Sequence, residues 1–256
     1  MGSVLKALIF VALLVGAGAF LGLVLGMIGD HYGLLFSPSI DLLYLGLWFL
    51  GALVAVAVTA GLAAMLLRPF SLIAIAFALS AVGMFAAWEL SAVSGIVAAI
   101  YLAVGLLFAW SVTSEIKSRV KFSVWHILKS QAILLVVLTA IGCTSLYFAY
   151  ADQIQSEGFT LPPVISDVIT DAMEGQGVPP SLIEAFEQQI EDTLAPYERY
   201  IPIGVAAIVF MPLMSIVIFL SWIPILILAA VLPLLTRFGV VEEVTDTIEV
   251  TRLNME

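Results

Sequence analysis

The sequence predicts an all-α polytopic membrane protein with about six transmembrane helices. Hydrophobic residues make up 62% of the 256-residue chain and charged residues only 11%, against the roughly 25% charge of an ordinary soluble domain. The mean hydropathy is +1.17. Apolar runs of about 18 residues or more recur along the chain, each long enough to cross a hydrocarbon core of about 30 Å.

The first run covers about residues 4–28 and includes "GAGAFLGLVLGMIG" from Gly16. Gly18, Gly22 and Gly26 fall four apart, the spacing of a glycine zipper, in which small residues let two helix backbones approach closely. Lys6, the apolar run and Ala17-Gly18-Ala19 imitate the three regions of a signal peptide. The run continues unbroken to Ile28, however, so a retained first helix is expected. A dinucleotide loop needs G-x-G-x-x-G between a strand and a helix. Here Leu21 stands at the third glycine's place and the surroundings are membrane helix.

Further spans are expected at about residues 40–67, 70–88, 91–112, 128–150 and 201–235. Between Phe70 and Trp110 only Glu89 is charged. Some forty residues at ~1.5 Å each would far exceed the bilayer core, so the chain must turn at "WELS", residues 88–91. The small-residue spacing of span one recurs as Gly51, Ala55, Thr59 and Ala63 in span two and as Ser91, Gly95, Ala99 and Ala103 in span four. Spans one, two and four should therefore form the tight core. Spans five and six, rich in Leu, Ile, Val and Phe, suit a more lipid-facing place. The last run exceeds one upright helix and contains Pro212, Pro224 and Pro233. Proline kinks or unwinds a membrane helix, so one kinked, tilted helix ending along the inner surface is preferred over two short passes.

Charge sets the expected orientation. Lys6, Arg68, Lys117, Arg119, Lys121, Lys129, Arg237 and Arg252 fall on one side, and Arg199 alone on the other. The positive-inside rule makes the first side cytoplasmic, with both termini there, in the cell membrane. The domain plan is a five-span region (1–150), an acidic extracytoplasmic hairpin (151–200), the final Pro-kinked segment (201–238) and a cytoplasmic tail (239–256).

In the acidic insertion, Val164, Ile165, Val168, Ile169 and Met173 share one helical face. Ser181 and Glu184 have capping-box spacing before a second apolar face of Leu182, Ile183, Phe186, Ile190 and Leu194, and Pro196 ends it. Two amphipathic helices should form a hairpin on the outer surface, with Phe186 and Ile190 as candidate partner contacts. In the tail, Ile248 and Val250 alternate with polar residues and read as a strand. A lone strand is unstable, which makes these two residues further contact candidates, toward another protein or a second copy of the chain.

Chemistry is sparse. A net charge of −10 with nine scattered basic residues argues against nucleic acid, whose phosphates need clustered Lys and Arg. Cys143 is the only cysteine, and the histidines are His31 and His126; these exclude an intrachain disulfide, a CxxC site and an HExxH helix. Asp30, His31 and Asp41 share the outer mouth but read as interfacial polar groups rather than a metal set. Ser94-Gly95 resembles the serine motif of rhomboid proteases, yet its only later histidine, His126, belongs at the opposite membrane surface, out of reach of a nucleophile. No cofactor is implied. The expectation is a non-enzymatic scaffold or accessory subunit of a membrane complex, with a small transporter or channel subunit as the alternative.

Overall fold

The computed structural model describes residues 3–36, 39–118, 124–175 and 177–240. The chain is an all-α polytopic membrane protein, and among the described residues six apolar segments are long enough to span a bilayer. The strand expected around Ile248 and Val250 lies outside the described residues.

Five spans come first: α1 (Ser3–Asp30), α2 (Ile40–Leu66), α3 (Phe70–Ala87), α4 (Ala92–Ser118) and α5 (Leu128–Glu157). Pro69 separates α2 from α3, since a proline lacks the N–H that would continue the helix. The α3–α4 turn falls at residues 88–91, where hydropathy alone requires a reversal. Ser91 and Ser94 fix it reciprocally. Ser94 N donates to Ser91 Oγ (3.1 Å), Ser91 N donates to Ser94 Oγ (3.0 Å), and Ser94 Oγ donates back to Glu89 O (2.5 Å). This is a capping-box arrangement with serine in the second position.

The glycine seam of α1 packs on α3. A Cβ on Gly18 would strike Ser80, one on Gly22 would lie 3.0 Å from Met84 Cα, and one on Gly26 would touch the Trp88 ring at 3.7 Å. The offset between partners stays constant, so α1 and α3 run parallel in register. Gly83 returns the contact against Val15 O and Ala19. In the middle of this seam Ser80 Oγ donates to Leu14 O (2.8 Å) and lies 2.9 Å from the buried Tyr101 hydroxyl of α4. One hydroxyl thus ties three helices, which suits an interior where nothing else satisfies a polar group.

The expected core of spans one, two and four holds in part: α1 packs on α2 and α2 on α4, but the glycine seam of α1 does not face either. The partner of α1's glycines is α3, while α4 packs on α2, α3 and α5. Gly51 meets nothing within 4 Å, and Gly51 and Ala99 are both exposed. Ser91 is an exposed cap, and Thr59 Oγ1 donates to Ala55 O of its own helix (2.8 Å). Ala55 and Gly95 are half-buried; Gly95 sits in ordinary contact with Phe85. Span five is also no lipid-facing rim. Leu134, Leu135, Leu138 and Ile141 of α5 are buried, and Gly142 receives the ring of Phe49 from α2. Gly105 likewise receives Phe77. Large side chains seated on isolated glycines hold these helices together, and no four-residue stripe announces such pairs.

The final apolar run divides at Ser221 into α8 (Ile201–Leu220) and α9 (Trp222–Arg237), reached through the hairpin helices α6 (Pro163–Glu174) and α7 (Pro180–Leu194). α8 crosses back along α5 and is mostly exposed. α9 then lies across the bundle end that carries the N-terminus. Its Trp222 packs edge-on to Trp125 (5.5 Å), Leu228 covers Gly61, and beyond its end Gly239 O accepts from Lys6 Nζ (2.8 Å).

Candidate functional site

The opposite end of the bundle, where the hairpin sits, gathers the polar groups. A cavity of about 560 Å³ opens between the end of α1, the α3–α4 turn and the end of α5. Asp30, Glu89, Asp152 and Gln153 give it an acidic wall, with Tyr32 and Trp88 beside them. Its floor includes Gly26, Gly29 and Ser145. There Ser145 Oγ donates to Leu25 O (2.7 Å), drawing α5 against α1. Beside the cavity, a 3-10 turn (Tyr32–Phe36) rests on α5 through Tyr150, whose ring centroid is 5.2 Å from that of Phe36.

The three outer-mouth residues singled out in the sequence separate. His31 Nδ1 donates to Met27 O (3.0 Å), capping α1. Asp41 stands in the first turn of α2, where a carboxylate complements the helix dipole. Among the described residues, no group of three or more His, Cys, Asp or Glu side chains is placed to hold a metal. Ser94 is committed to the α4 cap, while His126 lies in the short turn before α5, at the other end of the bundle.

The hairpin is built by its acids. Ser166 Oγ donates to Glu187, Leu161 N to Glu191 (2.9 Å) and Phe159 N to Glu198 (2.8 Å). Three carboxylates along α7 and the following turn thereby pin the strap from residue 159 to the start of α6. Charge-assisted bonds of this type are stronger than neutral ones. The predicted capping box at Ser181 does not form. α7 begins at Pro180, with Pro179 at the cap position two residues before Ser181, because proline at the first helical position presets the backbone angle and loses no bond. Between the helices, Gly177 adopts φ +76°, a conformation open to glycine at little cost. Replacing Glu191 and Glu198 together with alanine should release the strap. Amide exchange at residues 159–161 should accelerate while the spans keep their protection, as measured by hydrogen–deuterium exchange.

Outward, the hairpin is apolar. Ile183 is buried, whereas Ile165, Val168, Leu182 and Phe186 are 46%, 63%, 58% and 43% exposed. Phe186 is thus an exposed contact candidate and Ile190 a half-buried one. Sequence reasoning named that face but missed the three glutamates, whose strap partners are thirty-nine, thirty and twenty-one positions away.

In the half of the bundle nearer the N-terminus, Gln131 is completely buried and its Nε2 donates to Ala57 O of α2 (2.7 Å). Gln131 Oε1 and Thr113 Oγ1 are buried with no hydrogen-bond partner. Ser111 and Ser130 pair nearby in sequence, Oγ to Oγ at 2.9 Å.

Fold and polar end together define a polytopic helical membrane protein carrying an acid-braced hairpin at one end. No protein-family model, no curated protein and no solved structure matches the chain.

Proposed function

We propose that the chain is a non-enzymatic accessory or scaffold subunit of a membrane complex, and that it engages a partner through the hairpin. The observation that supports this reading is the apolar face of Ile165, Val168, Leu182 and Phe186, displayed on a hairpin whose shape three glutamates brace. A grouped apolar face on an extramembrane element is the usual mark of an interaction surface. The excess of Lys and Arg at the N-terminal end of the bundle orients that end to the cytoplasm. The hairpin then faces outward in the cell membrane, and the tail around Ile248 and Val250 offers a second contact inside.

One experiment tests partner and side together. A membrane-impermeant crosslinker applied to intact cells should join the hairpin to a stoichiometric partner, and Phe186→Asp should abolish the product while leaving expression unchanged. Identical products from wild type and Phe186→Asp would overturn the assignment. The acidic cavity bounded by Asp30, Glu89 and Asp152 favours, as a second reading, a small transporter or channel subunit. Solute or ion flux through the purified chain in liposomes would favour that reading over the first.

A further inference from the structure

A second concavity lies on the lipid-facing side, between α5 and α8. Its volume is about 380 Å³, within the range of small-molecule pockets. Cys143, Thr144 and Tyr147 form one wall, and Ile203, Ala207 and Phe210 the other. The two helices run antiparallel, so Tyr147 and Ile203 lie nearer the hairpin and Phe210 deeper in the bundle. Thr144 Oγ1 donates to Ala140 O (2.9 Å), leaving its methyl group as the surface available to an occupant. The groove is therefore apolar, and Ile203 and Ala207 leave it open outward.

One turn above it stands a cation. The chain runs from the 3-10 turn Ala195–Tyr200 straight into α8, with Tyr200 and Ile201 both in helical conformation. Arg199, Ile203 and Ala207 therefore follow one another at four-residue steps along one face. Arg199 is the only basic residue between Ala151 and Tyr200. Its guanidinium lies 4.6 Å from the Tyr200 ring centroid and bonds the Tyr200 hydroxyl (2.5 Å). Glu198 and Glu191, nearby in sequence, are turned to Phe159 N and Leu161 N instead. Tyr197 and Tyr200 are both exposed, and tyrosines gather at the headgroup level of a bilayer.

We propose that this groove binds one glycerophospholipid of the leaflet on the hairpin side, with its phosphate on Arg199 and an acyl chain between α5 and α8. The complementarity is of charge and depth. A planar guanidinium matches the phosphate oxygens in pairs, and Arg199 precedes Ile203, a lining residue at the hairpin end of the apolar groove, by about one helical turn. The site is independent of the hairpin's partner face, which uses α6 and α7.

The test uses the full chain in mild detergent, titrated with phosphatidylglycerol or with diacylglycerol of the same acyl chains, and bound lipid counted by native mass spectrometry. Wild type should bind one phosphatidylglycerol saturably, at least about tenfold more tightly than diacylglycerol, the ratio that about 1.4 kcal/mol supplies. Arg199→Gln should erase that preference and Arg199→Lys retain part of it. Ala207→Leu, which fills the groove, should weaken both lipids alike. Each variant is compared at wild-type elution volume and thermal midpoint. No saturable lipid on wild type, a preference that survives Arg199→Gln, or displacement of the lipid by millimolar inorganic phosphate would each overturn the proposal.

Discussion

Gly22→Leu should leave the chain without a stable bundle. A Cβ at this position would lie 3.0 Å from Met84 Cα and closer still to its carbonyl oxygen. These are backbone atoms of α3, with no side chain able to rotate away. The leucine must push α1 off α3, and the loss reaches past the seam. Ser80 would give up Leu14 O and carry Tyr101 of α4 with it. The expected cost exceeds about 4 kcal/mol, the range reserved for gross failures of packing. In practice this means aggregation on extraction in place of a monodisperse peak in size-exclusion chromatography. Gly16→Leu is the control on the same helix. Gly16 meets nothing within 4 Å, so leucine there should change stability by no more than about 1 kcal/mol, and in the favourable direction, since glycine is the poorer helix former. Equal behaviour of the two variants would show that α1 and α3 do not touch along this face.

Gln131→Glu should be the next most damaging change, although it is nearly isosteric. Gln131 is fully buried and its amide nitrogen donates to Ala57 O. A carboxylate would set a negative oxygen against that carbonyl, at a position fully shielded from solvent. A charge buried in a membrane span costs about 3 kcal/mol on insertion scales. Gln131→Met should lie within about 1 kcal/mol of wild type, because it gives up one hydrogen bond and at the same time removes the unpartnered Oε1. Unfolding by SDS titration would rank the three proteins. A Glu variant as stable as the Met variant would mean that water reaches position 131.

Both predictions concern residues whose importance sequence reasoning weighed unevenly. The seam of Gly18, Gly22 and Gly26 was legible because helix periodicity puts every fourth residue on one face. Its partner was not. Span three carries Ser80, Gly83 and Ala87 among large residues, a weaker stripe than those of spans two and four, and it is the one in contact. Nothing in the apolar run of span five marks a partner for Gln131, and only the packing of α5 against α2 sets its amide on Ala57. The hairpin's apolar faces were legible from spacing, whereas Glu187, Glu191 and Glu198 looked like ordinary surface acids until the strap lay beside them.

By itself the sequence determined the class, the number of spans, the break between residues 67 and 70, the turn at residues 88–91, and the amphipathic hairpin. These depend on length, proline and polar interruptions, which act locally through the cost of leaving backbone groups unbonded in lipid. The neighbours of each helix were decided only by the tertiary structure. Lipid tails are as apolar as leucine, so hydrophobicity does not distinguish a bundle-facing residue from a lipid-facing one. Gly22 and Gly51 sit in the same four-residue pattern, yet one touches the backbone of α3 and the other meets nothing. Leucine-rich α5 lies inside and apolar α8 outside for the same reason: shape, not polarity, selects which face of a membrane helix is covered.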